Sequence, residues 1–330
     1  MKKVRIIGFT CLLFVAAVVK GQIVKGPKIT AADAATLNAQ QDSLKYLSDL
    51  ILRGRDEDAR QGANDRFIPK LVQALKTPNS FYFPFDSITT VSIQYPQDST
   101  FRIFTWGVES ENTFFHHYGA IQMRTEDGKL KLFPLFDASD YILNTDTITD
   151  NKNWYGCMYY KILQRRFFNT NYYTLFGWDA NNMRSQKKLI EMLSFKDDKP
   201  VFGGPFFSYA EDTIPKPLKN RFIMEYKREG TVSLSYNQDM DMIVYDHLIS
   251  ETNQPKKPST FVSDLDYEGF KWKGGKWVHI EKVFHDALQL GKVPVGQPLD
   301  YKKKDLTKPR TADEINEETL QKQQPKKKQK

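Results

Sequence analysis

A mainly β protein, an antiparallel meander preceded by a helical pair, is the fold class this sequence predicts. Three observations carry it. From Phe81 onward the apolar period is two, turn signals recur every eight to twelve residues, and few helical stretches lie between them. Sandwich, open barrel and propeller-like closures all satisfy that pattern.

The chain begins with Lys2, Lys3 and Arg5, followed by an apolar run of fourteen over residues 6–19. Val19-Lys20-Gly21 then places small residues at −3 and −1 before Gln22, so residues 1–21 read as a secretory signal peptide and the mature chain is expected to start at Gln22. The run is too short for a permanent bilayer span, and no later stretch approaches the roughly 18 apolar residues a transmembrane helix needs. Cys11 leaves with the signal. Cys157 is then alone, no intrachain disulfide can form, and its apolar surroundings predict an inert buried thiol.

Residues 22–80 read as helical. Leu44, Leu47, Leu50 and Ile51 recur at helical spacing from a cap at Ser43, and Gly54 stops them. A second stripe, Phe67, Ile68, Leu71, Val72 and Leu75, ends at Thr77-Pro78. Pro69 inside it predicts a start near Asp65, where a first-turn amide has no partner to lose.

Residues 81–301 read as the β-rich body, one domain with the helices. Val91, Ile93 and Tyr95 alternate with polar residues, and a turn over residues 96–99 leads into a strand over 101–108. Asp127-Gly128 predicts a two-residue hairpin turn that sets Glu126 against Lys129 and Met123 against Leu132, with Ile121, Met123, Leu130 and Leu132 on one face. Residues 222–227, 231–236 and 240–246 read as three consecutive strands, joined at Arg228-Glu229-Gly230 and Asn237-Gln238-Asp239. A last hairpin turns at Gly274-Gly275 and aligns Phe270, Trp272, Trp277 and His279 on one face.

Residues 302–330 hold ten basic and five acidic side chains with almost nothing apolar, a composition expected to stay disordered. Removing this +5 and the +4 of the signal from the net +8 leaves −1 for residues 22–301. With a near-neutral body the basic overall balance is no argument for a nucleic-acid-binding face, and no nucleic-acid partner is expected. The Lys-rich tail suits either solubility or attachment to an anionic envelope surface.

One stretch resembles a known pattern. Asn171-Tyr172-Tyr173-Thr174-Leu175-Phe176-Gly177-Trp178-Asp179, followed by Lys188-Leu189-Ile190-Glu191-Met192-Leu193-Ser194-Phe195 and Pro200-Val201-Phe202-Gly203, is similar to an uncharacterised family of secreted, mainly β proteins of Gram-negative bacteria. The resemblance implies an exported β protein and supplies no catalytic residues. The residues themselves read as a strand ending at Trp178, a turn over 179–182 and a short helix capped by Ser185. Gly177 and Gly203-Gly204 read as tight turns.

Candidates for chemistry are sparse. Asp239 and Asp241, two apart, would share a face on a strand and could act as paired carboxylates, although a turn is the ordinary setting for Asp. Asp246-His247 could supply an oriented base, but no nucleophile elbow accompanies it. Trp272 and Trp277 form a candidate glycan-stacking pair, or simply cross-strand core. His116-His117 face opposite ways on a strand and cannot share an ion. The acidic loop carrying Asp137, Asp140, Asp146, Asp150, Asn151 and Asn153 lacks calcium-loop spacing. No cofactor or metal site is expected. The leading expectation is a non-enzymatic exported protein with a binding or structural role at the cell envelope; the other is a hydrolase of envelope or external glycans or peptides.

Overall fold

The computed structural model describes residues 29–110 and 114–284. The expected signal over 1–21 and the basic segment over 302–330 lie outside the described residues. Described residues up to Val283 belong to one compact unit, so the helices and sheets share a domain. Among the described residues, no helix is long and apolar enough to cross a membrane.

Both helices start earlier than their apolar stripes. Helix α1 (Ala31–Arg53) is capped by Thr30, whose Oγ1 accepts from the Asp33 amide at 3.1 Å. Ser43, the expected cap, lies inside the helix, its hydroxyl donating to the Ala39 carbonyl. Helix α2 (Glu57–Leu75) is capped by Asp56, which accepts from the Ala59 amide at 2.8 Å. The expected start near Asp65 is therefore wrong, and Pro69 sits in the helix interior. It deprives the Asp65 carbonyl of its partner, but both residues are exposed and water can take that bond.

Strands β1 (Ser92–Gln94), β2 (Phe101–Glu109), β3 (Phe115–Met123) and β4 (Lys131–Phe136) form a four-stranded antiparallel meander. The chain then lays down β5 (Thr149–Asp150), β6 (Met158–Phe167), β7 (Thr170–Asp179), β8 (Ser185–Lys196) and β9 (Lys199–Phe202) as a middle sheet. It leaves for β10 (Phe207–Tyr209) and β11 (Lys216–Lys219), and returns with β12 (Arg221–Lys227), which pairs with β8. Strands β13 (Leu234–Asn237), β14 (Met242–Ser250), β15 (Phe261–Lys273) and β16 (Lys276–Ile280) complete an outer sheet ordered β11-β10-β16-β15-β14-β13. The three strands expected over 222–246 are thus split between two sheets. No sheet closes into a barrel.

Three apolar interfaces stack these elements as helices, first sheet, middle sheet and outer sheet. The helices cover Phe104, Trp106 and Val108 of β2. The opposite face of that sheet, with Phe101, Ile103 and Ile121, packs on Leu175, Leu189 and Leu193 of the middle sheet. The far face of the middle sheet, with Phe176, Ile190 and Met192, packs on Ile243, Phe270 and Trp277 of the outer sheet. Because β7 and β8 are buried on both faces, apolar residues stand side by side at their centres, Leu175-Phe176, Leu189-Ile190 and Met192-Leu193.

That double burial explains an error. The helix expected after Ser185 is strand β8: Leu189 and Leu193 face one way while Ile190 and Met192 face the other, and tertiary burial overrides helix-forming composition. The Asp127-Gly128 hairpin is also corrected. Gln122, not Met123, opposes Leu132, a slip of one residue that sends Leu130 and Leu132 to the helical side and leaves Ile121 and Met123 on the other. The cause is a longer loop, held where the Asn79 amide donates to the Gly128 carbonyl and the Arg124 amide to the Thr100 carbonyl. The Gly274-Gly275 hairpin keeps the expected register, Trp272 opposite Trp277 and Phe270 opposite His279.

Three glycines and the cysteine bear on further expectations. Gly177 lies within β7 rather than in a turn; a Cβ there would sit 2.5 Å from Cys157 Sγ, so the glycine permits a close approach. Gly203 and Gly204 do take positive φ, at 90° and 140°. Cys157 is fully buried, and burial pushes its thiol pKa well up.

Candidate functional site

The β14–β15 ladder is broken at one place. Asp246 pairs with Tyr267 and Leu248 with Ser263, so His247 alone faces Asp264, Leu265 and Asp266. Side chains build this bulge: Ser263 Oγ accepts from the Leu265 amide at 3.2 Å and Asp264 Oδ1 from the Asp266 amide at 3.1 Å. Leu265 is exposed at φ 71°, a left-handed conformation costing a non-glycine residue about 1–2 kcal/mol.

The bulge aims Asp264 at His247, with Oδ2 2.8 Å from Nδ1. The other ring nitrogen lies 3.8 Å from Glu268 Oε1. Glu268 Oε2 accepts from the Tyr245 hydroxyl at 2.9 Å and lies 3.2 Å from His279 Nε2. His279 Nδ1 is in turn 2.8 Å from Asp212 Oδ1. Acids and imidazoles therefore alternate from a rim, where His247 is 40% exposed, to a buried end where Asp212 is 1% exposed.

Their electrostatics are mutually set. Burial disfavours a charged His279, yet bonds to Glu268 and Asp212 outweigh it and raise the ring above its ordinary pKa. For Glu268, burial pushes up while bonds from His279 and Tyr245 push further down, leaving it below the usual carboxylate value. Asp264 is likewise lowered: burial opposes, but the bond to His247 and the Asp266 amide prevail. Burial, reinforced by Glu268, drives the Tyr245 phenol well up, so it stays a neutral donor.

A cleft of about 360 Å³ opens beside this chain of groups, lined by Phe222, Tyr245, Asp246, His247, Phe261 and Glu268 among others. Asp264 and Glu268 are held ionised, whereas glycoside hydrolysis requires one carboxyl to keep its proton as general acid. Cys157 is packed between the first and middle sheets, remote from this outer-sheet cluster. Among the described residues, no group of three or more His, Cys, Asp or Glu side chains is arranged to hold a metal ion.

The structure brings only two of the expected catalytic candidates to this cleft, Asp246 and His247. Asp246 is engaged structurally, accepting from the Ser233 amide at 3.2 Å. Asp239 and Asp241 do not line the cleft. Asp241 takes φ 49° in the β13–β14 turn and bonds Arg165 and Tyr236, so the two do not act as a strand-face pair. Trp277 is fully buried, its Nε1 donating to Thr174 Oγ1 at 2.9 Å, while half-buried Trp272 packs edge-to-face on it at 5.1 Å. The tryptophan pair is therefore packing between the outer and middle sheets, not an open glycan platform.

The acidic loop uses its oxygens on its own backbone. Asp137 accepts from the amides of His117, Ser139 and Gly156, and Asp150 from those of Lys152 and Asn153. Burial opposes the charge of Asp137, but His117 and Ser139 outweigh it and hold its pKa down to about 2. His116 is exposed and His117 buried, as opposite strand faces require.

Sequence reasoning passed over Asp212, Asp264 and Glu268. The one local signal was Ser263-Asp264-Leu265-Asp266, turn-type residues interrupting an otherwise regular strand. Compared with family models, curated proteins and solved structures, the chain matches none.

Proposed function

We propose that this is an exported, non-enzymatic protein with a binding or structural role at the cell envelope. The observation supporting it is the state of the β14–β15 cluster: Asp264 and Glu268 are held ionised by bonds to imidazoles and a phenol, an arrangement that organises a surface. The charged start, apolar run and Val19-Lys20-Gly21 site support export, as does the resemblance to secreted β proteins. The segment 302–330 is the proposed electrostatic contact with anionic envelope surfaces, a contact that salt near about 0.5 M should abolish.

One observation favours the hydrolase reading, with glycans or peptides as substrates: the Asp264–His247 contact at 2.8 Å on a cleft rim resembles an oriented base. Incubation of the purified protein with peptidoglycan, oligosaccharides and peptides decides between them. Release of no product above buffer is expected; product release abolished in Glu268→Gln or Asp264→Asn would establish the hydrolase instead. N-terminal sequencing of protein recovered from envelope and medium should begin at Gln22, and an intact Met1 in a cytoplasmic fraction would refute export.

A further inference from the structure

A second cleft, of about 500 Å³, lies where the last turn of α1 meets β2, β3, β6 and β7. That volume suits a small organic ligand. Ile51, Leu52, Trp106, Phe115, Met158 and Trp178 give it apolar and largely aromatic walls. Gly107 keeps part of the wall open: a Cβ there would already lie 3.5 Å from the His117 ring, and a longer side chain would occupy the space.

The polar groups around this cleft are unevenly matched. The His117 ring lies between Asp137 at 3.6 Å and Asp179 at 3.7 Å, and Asp179 is 3.6 Å from Lys187. Arg228 donates to the Ala180 and Asn182 carbonyls and lies 6.0 Å over the Phe115 ring. These carboxylates already have close partners. One cation is not answered: Arg53, in the exposed last turn of α1, makes no ion pair among the described residues. It lines this cleft, and no carboxylate does so among the described residues. An anion is the group that would answer that guanidinium.

We propose that this cleft binds a small amphipathic anion, an acyl or aryl carboxylate, with its apolar body among the tryptophans and its carboxylate on Arg53. The proposal gives the binding reading a ligand class and rests on it, while being independent of export. Decanoate, decanol and decylamine, each titrated calorimetrically into the intact protein, test it. Decanoate should bind saturably and roughly tenfold tighter than decanol, the effect of a charge-assisted hydrogen bond, and decylamine should not bind. Arg53→Gln, an exposed change that leaves the fold intact, should erase the preference for decanoate over decanol. Gly107→Leu should abolish decanoate binding while circular dichroism stays that of the parent.

Equal binding of decanoate and decanol, or a preference unchanged in Arg53→Gln, would overturn the anionic-head assignment. Tighter binding of decylamine, or no saturation by any of the three below about 1 mM, would overturn the ligand class. Product release in the hydrolysis assay reads the enzyme alternative separately, so the two failures are distinguishable.

Discussion

Replacing Gly177 by Ala should destabilise the protein, and replacing Cys157 by Ala in the same chain should add no further loss. Gly177 lies opposite Tyr159 on one side and Leu189 on the other, in the buried stretch of β7. A Cβ there would lie 2.5 Å from Cys157 Sγ and 3.2 Å from Leu189 Cγ, so atoms of a packed core must move. Overpacking of that kind costs about 1–3 kcal/mol, and the better strand conformation of Ala over Gly returns about 0.5–1 kcal/mol. A net loss near 1–2 kcal/mol is expected. Cys157→Ala alone should cost about 1 kcal/mol for the sulfur-sized void. Together, the new methyl enters the space the sulfur vacated, and the double variant should be no less stable than Gly177→Ala alone. Urea unfolding of the four proteins would give a coupling of about 1–2 kcal/mol; additivity within about 0.5 kcal/mol would refute the reasoning.

Three other outcomes follow from buried charges. Glu191→Gln leaves Arg221, 0% exposed, without its carboxylate at 2.6 Å and should cost about 3–5 kcal/mol by urea denaturation, whereas loss of a surface pair would cost under about 1 kcal/mol. His279 has a raised pKa in the fold, so its contribution is complete below the unfolded value near about 6.5 and is lost as pH rises through the folded value; the stability gap between the parent and His279→Gln should shrink across that window. Asp137 has a depressed pKa, so its contribution of about 2 kcal/mol is present above the unfolded value and is lost as pH falls towards about 2; Asp137→Asn should remove that part of the acid dependence.

Local signals in the sequence succeeded where chemistry and geometry were both local. Gly274 and Gly275, each at positive φ, set the last hairpin in its expected register. Asp127-Gly128 looked equally clear, but Asn79 from the 3-10 turn after α2 captures the Gly128 carbonyl, and a distant contact shifted the ladder by one. Lys188-Leu189-Ile190-Glu191-Met192-Leu193 has helix-forming composition, and only knowledge of a sheet on each side reveals it as a strand. The candidate site was half legible: Asp246 and His247 are adjacent in sequence, but their cleft depends on Glu268 across a bulge and on His279 and Asp212 from other strands and loops. No spacing encodes those meetings, since strand order places Asp212 beside His279 through a parallel β10–β16 pairing seventy residues apart, Phe207 to Trp277.

That parallel pairing also bears on the order in which the molecule can be assembled. The second face of the middle sheet, carrying Phe176, Ile190 and Met192, is covered by a sheet whose central strands end only at Ile280. A chain delivered N-terminus first can pair its early helices and meander, yet Phe207 waits for Trp277 before the covering sheet has its continuous order. Until the final strand arrives, an aromatic and aliphatic surface stays open to water and to other unfinished chains. A chain stopped before residue 276 would lack that strand permanently, and aggregation, rather than a stable smaller domain, is the physical consequence.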